Sequence, residues 1–168
     1  MKHERIYLNE SDERVFIDTY IANHASARPA ILVIPGGGYA KVCTDREGEP
    51  IALEFFAKGY NAFVLNYRVG TKSDVYPAQL LDAASAMIYI REHADEFSID
   101  ASRVFAVGFS AGGHLCGSLA TMYAYPEVKA AFGDKYMLVK PTGAILSYPV
   151  TVANEYAHAG TFRNLLDK

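Results

Sequence analysis

The stretch Arg103-Val-Phe-Ala-Val-Gly-Phe-Ser-Ala-Gly-Gly-His-Leu115 decides the fold, because an apolar run of β type passes through Gly-x-Ser-x-Gly into a sequence of helical character. We predict a strand at Val104–Val107 and a helix over Ala111–Tyr125. A serine between such a strand and helix sits on a tight turn, which leaves its hydroxyl exposed at the helix N-terminus. That turn needs glycine two residues before and two residues after the serine, and both are present. Ser110 is therefore the candidate nucleophile.

Strands and helices also alternate in the rest of the chain. The predicted strands are Ala30–Ile34, Tyr60–Leu65 and Gly143–Tyr148, and the predicted helices are Glu49–Lys58 and one between Pro77 and Phe97. Before them, Ile6–Leu8 and Arg14–Ile21 are typical of an antiparallel hairpin at a sheet edge. Alternation of this kind implies right-handed crossovers, so we expect an α/β fold, a three-layer α/β/α sandwich with a mostly parallel sheet. The loops at the carboxyl ends of its strands should form the site.

Size and composition limit what this chain can be. Its 168 residues are 51% hydrophobic and 21% charged, which suits one core, so we expect a single domain over residues 1–168. A net charge of −3 gives no basic surface for nucleic acid and does not favour a membrane surface, which leaves soluble small molecules as partners. The first residues do not resemble a signal peptide, so we expect a cytoplasmic protein. Cys43 and Cys116 lack the spacing of a metal site or disulfide framework, so we expect reduced thiols and no metal.

A glycine-rich loop, Pro35-Gly-Gly-Gly-Tyr39, follows the first buried strand. Glycines allow a main chain to approach a substrate and to turn its N–H groups towards a developing oxyanion. We predict an oxyanion hole made by the amides of Gly37, Gly38 and Ala111, the residue after the serine. Phosphate binding is the competing use, but Lys41 occupies the place of the third glycine in Gly-x-Gly-x-x-Gly. A plain tight turn is the remaining alternative.

Other polar and aromatic residues near these loops have less specific signals. Tyr39 is predicted to line a substrate pocket for an acyl group or sugar, or else to pack. His114 lies one helical turn beyond the serine, where a helix points it away from the exposed hydroxyl, so we expect it to pack beneath the turn. Glu47 and Glu49 are predicted to begin a helix and to favour its dipole.

Five motifs together resemble one family. They are Pro35-Gly-Gly-Gly-Tyr39, Asp45-Arg-Glu-Gly-Glu-Pro50, Asn66-Tyr-Arg68, Tyr76-Pro77 and Gly108-Phe-Ser-Ala-Gly-Gly-His-Leu115. Over roughly residues 30 to 150 the chain resembles an α/β-hydrolase, similar to small bacterial esterases that include acetyl-xylan and feruloyl-type carbohydrate esterases. The resemblance implies that Ser110 attacks an ester carbonyl and forms an acyl-enzyme that water releases, with no metal and no cofactor.

The chain departs from that family in its acid and its histidine. The family has them in the order Ser, Asp, His beyond the next two strands, and this sequence stops at Lys168. His158 follows the last predicted strand and so should leave the sheet at the active-site edge, which makes it the candidate base. Asp134 should lie at the opposite edge, one helix length away. Glu155 and Asp167 are weaker candidates for the acid.

Three readings of function follow. The first is a serine hydrolase that cleaves a small carboxylic ester, an acetyl or similar acyl group, with a carbohydrate as one possible alcohol. The alternative is an inactive or incomplete hydrolase-like domain that lacks the acid and histidine, and in a third reading a partner chain supplies the missing strands. In each case the strand Gly143–Tyr148 should form an exposed apolar sheet edge, so we expect the chain to associate with itself as a homo-oligomer.

Overall fold

The computed structural model describes residues 1–23 and 26–167, so Lys168 lies outside the described residues. The strands are β1 Arg5–Tyr7, β2 Phe16–Tyr20, β3 Arg28–Ile34, β4 Asn61–Asn66, β5 Ile99–Phe109 and β6 Ala144–Ser147. The helices are α1 Thr44–Glu47, α2 Glu49–Ala57, α3 Ala78–Glu92, α4 Ala111–Met122, α5 Pro126–Phe132 and α6 Ala159–Leu166, with a 3-10 helix at Gly133–Val139.

The strands form one sheet in the order β1-β2-β4-β3-β5-β6. Pairing is antiparallel from β1 to β2 and from β2 to β4, and parallel between all the others. The leading hairpin at one edge and the parallel crossovers are both as predicted. β3 and β5 lie side by side, so the glycine loop and the serine turn, which follow these two strands, meet at one edge of the sheet.

Strand β3 shows why both faces of the sheet carry helices. Its Ala30, Leu32 and Ile34 face a core shared with α3 and α4, whereas Ile31 and Val33 face a second core shared with α2. A strand buried on both faces must be apolar at every position, which explains the unbroken apolar run. The α/β/α sandwich with a mostly parallel sheet is confirmed.

Several predicted boundaries were wrong. The helix after the serine ends at Met122 rather than Tyr125, because Pro126 cannot continue it and instead starts α5. α3 ends at Glu92, well before Phe97, and β5 begins earlier than predicted, at Ile99. The short helices α1, α5 and α6 and the 3-10 helix were not predicted.

Strand β6 forms the second edge of the sheet. It pairs with β5, and the side chains of Ile145 and Leu146 are 50% and 43% exposed. The exposed apolar edge predicted from the sequence is therefore present. Self-association through that edge stays a prediction.

Both cysteines are free thiols in the structure. Cys43 and Cys116 are buried and form no disulfide, and burial raises the pKa of the Cys116 thiol to about 12. Among residues 1–23 and 26–167, no three His, Cys, Asp or Glu side chains are grouped so that they could hold a metal ion. No helix in the same ranges has the length and apolar character needed to cross a bilayer.

Candidate active site

Ser110 lies on the turn between β5 and α4 with a φ of 52°, a strained value for a residue with a side chain. Its N–H donates to the Ser147 carbonyl over 3.0 Å, and its carbonyl accepts from the Val150 N–H over 3.3 Å. A Cβ on Gly108 would collide with the Gly112 carbonyl, and a Cβ on Gly112 would collide with the main chain at the end of β3. The tight turn predicted from Gly-x-Ser-x-Gly is confirmed, and both of its glycines are required by space.

In the glycine loop after β3, the carbonyl groups of all three glycines accept hydrogen bonds. The Gly36 carbonyl accepts from the Cys43 N–H at 2.9 Å, the Gly37 carbonyl from the Ala40 N–H at 3.1 Å, and the Gly38 carbonyl from the Asn164 side-chain amide at 2.8 Å.

The same hydrogen bonds decide where the loop amides point. A planar trans peptide directs its carbonyl and its N–H to opposite sides, so anchoring the carbonyls of Gly36 and Gly37 fixes the N–H groups of Gly37 and Gly38. Within the described residues, neither of those two N–H groups has a hydrogen-bond partner. Two fixed, unpaired donors are what an oxyanion hole requires.

Ala111 supplies the third predicted donor. It is the first residue of α4, where an N–H group has no partner within the helix, and its side chain is buried. The N-terminus of α4 carries partial positive charge beside Ser110, which favours a negative oxygen at this point.

A cavity of about 500 Å³ lies over these groups. It is lined by Gly37, Gly38, Lys41, Arg46, Glu47, Ser110, Tyr148, Val150, His158 and Thr161. The structure thus brings the candidate nucleophile, two of the candidate oxyanion donors and the candidate base to one cavity. Ala111 adjoins it as the residue after the serine.

His158 precedes α6 and reaches the cavity from the side of β6. Its Nδ1 lies 2.8 Å from Thr161 Oγ1, which orients the ring. When Nδ1 carries the proton, Nε2 is left with a free lone pair, the form that a general base needs. Within residues 1–23 and 26–167, no hydrogen bond joins the Ser110 hydroxyl to His158 or to another side chain.

The structure separates Tyr39 from this cavity. Tyr39 is 1% exposed, its hydroxyl lies 2.8 Å from His114 Nδ1, and its ring packs edge-on against Tyr67. Burial raises the pKa of Tyr39 and lowers the pKa of His114. The tyrosine therefore packs, the second of its two predicted uses, and its position does not support contact with an ester at Ser110. His114 packs beneath the turn, as predicted.

The candidate acids do not line the Ser110 cavity. Asp167 lines a separate cavity of about 260 Å³ together with Tyr39 and Arg163. Glu155 is exposed in the segment before α6, and Asp134 lies in the 3-10 helix beyond α5.

Glu47 is the residue that sequence reasoning missed. It ends α1 and is only 8% exposed, with Oε2 accepting from the Gly36 N–H at 2.7 Å and Oε1 accepting from the Tyr148 hydroxyl at 3.0 Å. The predicted role in starting a helix was wrong, since Glu49 starts α2 and Glu47 turns into the cavity. The one available signal was its place eleven residues after Gly36, which does not specify a contact.

The mostly parallel sheet with helices on both faces, the serine on a strained strand-to-helix turn and the facing glycine loop define the chain as an α/β-hydrolase. The comparisons with known proteins agree. The chain belongs to the BD-FAE family, which it matches over residues 17–147.

Two relatives are similar over most of this chain. Acetylxylan esterase of Xylanibacter ruminicola is 30% identical over 167 residues, 98% of this chain and 32% of that protein. Endo-1,4-beta-xylanase B of Butyrivibrio fibrisolvens is 40% identical over 154 residues, 88% of this chain and 23% of that protein. The chain thus spans a third or less of the length of these two relatives.

Solved structures have the same fold. The acetyl ester-xyloside bifunctional hydrolase of Caldicellulosiruptor lactoaceticus superposes with a TM-score of 0.84 at 33% identity, covering 98% of this chain and 64% of that one. The carboxylesterase Cest-2923 of Lactobacillus plantarum has a TM-score of 0.81 at 27% identity, covering 99% and 64%.

Proposed function

We propose that this chain carries the nucleophile and the oxyanion hole of a carboxylic ester hydrolase. The observation that carries the proposal is the fixed pair of Gly37 and Gly38 amides, which have no hydrogen-bond partner in the described part of the chain and lie in the cavity that Ser110 lines. The esterase names of its relatives support the same chemistry.

The proposed reaction begins with attack of Ser110 Oγ on the ester carbonyl carbon. The carbonyl oxygen becomes an oxyanion, which the N–H groups of Gly37, Gly38 and Ala111 stabilise. The C–O bond to the alcohol then breaks and leaves an acyl-enzyme, and water attacks its carbonyl to release the carboxylic acid. The base takes the proton from Oγ, gives it to the leaving alcohol and repeats the exchange with water.

His158 is our candidate for that base in this chain. It lines the Ser110 cavity, and Thr161 holds its ring as a third group holds the base of a catalytic triad. The competing source is a histidine outside this chain, in the position that the family resemblance implies.

We propose a small acyl ester as the substrate, with an acetyl group on a carbohydrate as the specific case. This proposal is supported by the names of two similar proteins. They are the acetylxylan esterase, at 30% identity, and the acetyl ester-xyloside bifunctional hydrolase, at 33% identity. The cavity lining includes Lys41, Arg46 and Thr161, whose polar groups can hydrogen-bond a hydroxyl-rich alcohol, beside apolar surface such as Val150.

The test is hydrolysis of p-nitrophenyl acetate by the purified chain beside Ser110→Ala, His158→Gln and His93→Gln, with circular dichroism to show that each is folded. His93 stacks on Tyr89 of α3 and serves as the matched histidine control. We expect Ser110→Ala to lower kcat by about 10⁴-fold or more, His158→Gln to cause a comparable loss, and His93→Gln to have no effect. An acetyl adduct on Ser110 by mass spectrometry identifies the acyl-enzyme.

A second candidate function rests on the Ser110 hydroxyl, which is not hydrogen-bonded to a base in the described part of the chain. In that reading the chain is a hydrolase-like domain whose base comes from another chain or segment. Turnover that is abolished by Ser110→Ala but retained by His158→Gln would place the base outside this chain. Equal background rates in folded wild type and Ser110→Ala would remove the esterase proposal for this chain alone.

A further inference from the structure

We propose that Glu47 is a positioning residue for the oxyanion hole, holding the first peptide of the glycine loop so that the following amides face the cavity. This inference rests on the function proposed above, because it assigns the device that orients the donors.

The carboxylate of Glu47 is used on both oxygens. One accepts the Gly36 N–H at 2.7 Å and the other accepts the Tyr148 hydroxyl at 3.0 Å. The nearest cation is the Arg46 guanidinium, 3.6 Å away on a side chain that is 62% exposed. A carboxylate with little exposure needs strong hydrogen bonds to offset its lost hydration, so these two contacts are the ones that keep it there.

Glu47 also lies beside the nucleophile. A Cβ built on Gly36 would be 2.9 Å from Glu47 Oε2 and 3.0 Å from Ser110 Cβ. The carboxylate and the side chain of Ser110 therefore both border the space over Gly36. A larger residue at position 36 would also collide with the Phe109 carbonyl oxygen, 2.5 Å from that Cβ.

The contact with Gly36 fixes the whole loop because peptides are planar. The peptide between Pro35 and Gly36 is held at both ends, by Glu47 at its N–H and by the Tyr67 hydroxyl, 2.7 Å from its carbonyl. The next peptide begins from that fixed plane, and the Cys43 N–H holds its carbonyl. Without Glu47 the first peptide loses one of its two anchors, so the plane from which the amides of Gly37 and Gly38 continue is less firmly held.

Tyr148 extends the same link to the other side of the serine. It follows β6 with a φ of 35°, and its ring lies 5.9 Å from that of Phe109, the residue before Ser110. Burial and the hydrogen bond to Glu47 raise the pKa of Tyr148, so its hydroxyl keeps the proton that it donates. Glu47 thus joins the loop after β3 to the loop after β6.

The kinetic test compares Glu47→Gln and Glu47→Ala with Glu49→Gln, a matched control because Glu49 is exposed and only two residues away. Glutamine keeps the size of the side chain and one acceptor but loses the charge, so it carries the test if Glu47→Ala does not fold. We expect kcat for p-nitrophenyl acetate to fall about 10-fold to 100-fold, less than loss of a donor itself, with KM changed by less than about threefold. An unchanged kcat in a folded Glu47→Ala would overturn the proposal.

A second readout does not need activity. In protein labelled with ¹⁵N-glycine, the amide resonances of Gly37 and Gly38 should shift in both Glu47 variants and stay in place in Glu49→Gln. If they shift while the wild-type chain shows no Ser110-dependent turnover, the proposed function fails and the positioning role is supported. If they do not shift, Glu47 does not orient these amides, whatever happens to the rate.

Discussion

The two sides of Ser110 differ in structure: the β3 side is held by hydrogen bonds within the chain, and the β6 side is an exposed edge of the sheet. On the side of β3, the carbonyls of the three loop glycines, the Glu47 carboxylate and the Tyr39 hydroxyl all have partners, while the amides of Gly37 and Gly38 have none within the described residues. On the side of β6, the edge strand exposes Ile145 and Leu146 and pairs with β5. The β3 side of Ser110 is thus held by internal hydrogen bonds, whereas its β6 side ends at an edge of the sheet.

The largest expected effect tests that contrast with two glycines of the same helix. Gly112 touches the end of β3, and an added Cβ would collide with main chain there, whereas the nearest atom to a Cβ on Gly117 is Leu146 Cδ1 of β6, at 3.6 Å. We expect Gly112→Ala to lower the free energy of unfolding by about 3 kcal/mol and Gly117→Ala to raise it by about 0.5 to 1 kcal/mol. Urea unfolding followed by circular dichroism measures both, and equal effects would contradict the difference in packing.

The next effect in size concerns association of two chains through β6, the exposed edge strand of the sheet. We propose that a second copy of this chain pairs with β6, because the edge exposes main-chain groups and apolar side chains that a symmetric strand pair would cover. Ile145→Lys should weaken the dimer by about tenfold or more while changing the free energy of unfolding by no more than about 0.5 kcal/mol.

Light scattering coupled to size-exclusion chromatography measures this association. Met137→Lys is the control, since Met137 is 55% exposed in the 3-10 helix, away from the edge. A wild-type chain that stays monomeric at high concentration would show that a second copy does not cover β6.

The smallest expected effect is the pH dependence of the free energy of unfolding that arises from His114, which packs against Tyr39 on the β3 side of Ser110. Burial lowers the pKa of His114 below its usual 6.5, so the unfolded chain binds this proton at a higher pH than the folded chain does. The free energy of unfolding should therefore fall as the pH drops below about 6.5, until the folded chain is protonated too.

His114→Gln should flatten that acid-side fall, whereas His93→Gln should preserve it. Urea unfolding at a series of pH values between 5 and 8 checks both variants. An identical slope in wild type and His114→Gln would show that another group controls stability over this range.

Local constraints explain which parts of this molecule sequence reasoning could predict. The strand, turn and helix around Ser110 were predictable because the turn needs glycines at fixed offsets, and β3 because burial on both faces needs an unbroken apolar run. His158 was placed at the right edge by topology alone, and the structure puts it in the Ser110 cavity.

The missed features depend on contacts that no local pattern encodes. The burial of Glu47 follows from an amide eleven residues earlier and a hydroxyl beyond β6. The two predicted uses of Tyr39 could not be separated from the sequence either, because its packing depends on His114, seventy-five residues away. Short helices such as α5 and α6 were missed because their few residues show too little periodicity to stand out.

The position of β5 between β3 and β6 has a consequence for directed evolution. The amides proposed to bind the substrate oxygen come from the loop after β3 and from Ala111 after β5, while Tyr148, Val150 and His158 line the Ser110 cavity from the β6 side. On the proposed function, a mutant library confined to residues 149–157 should vary substrate specificity without altering the proposed oxyanion donors. A library in the glycine loop should instead lower activity towards every ester tested.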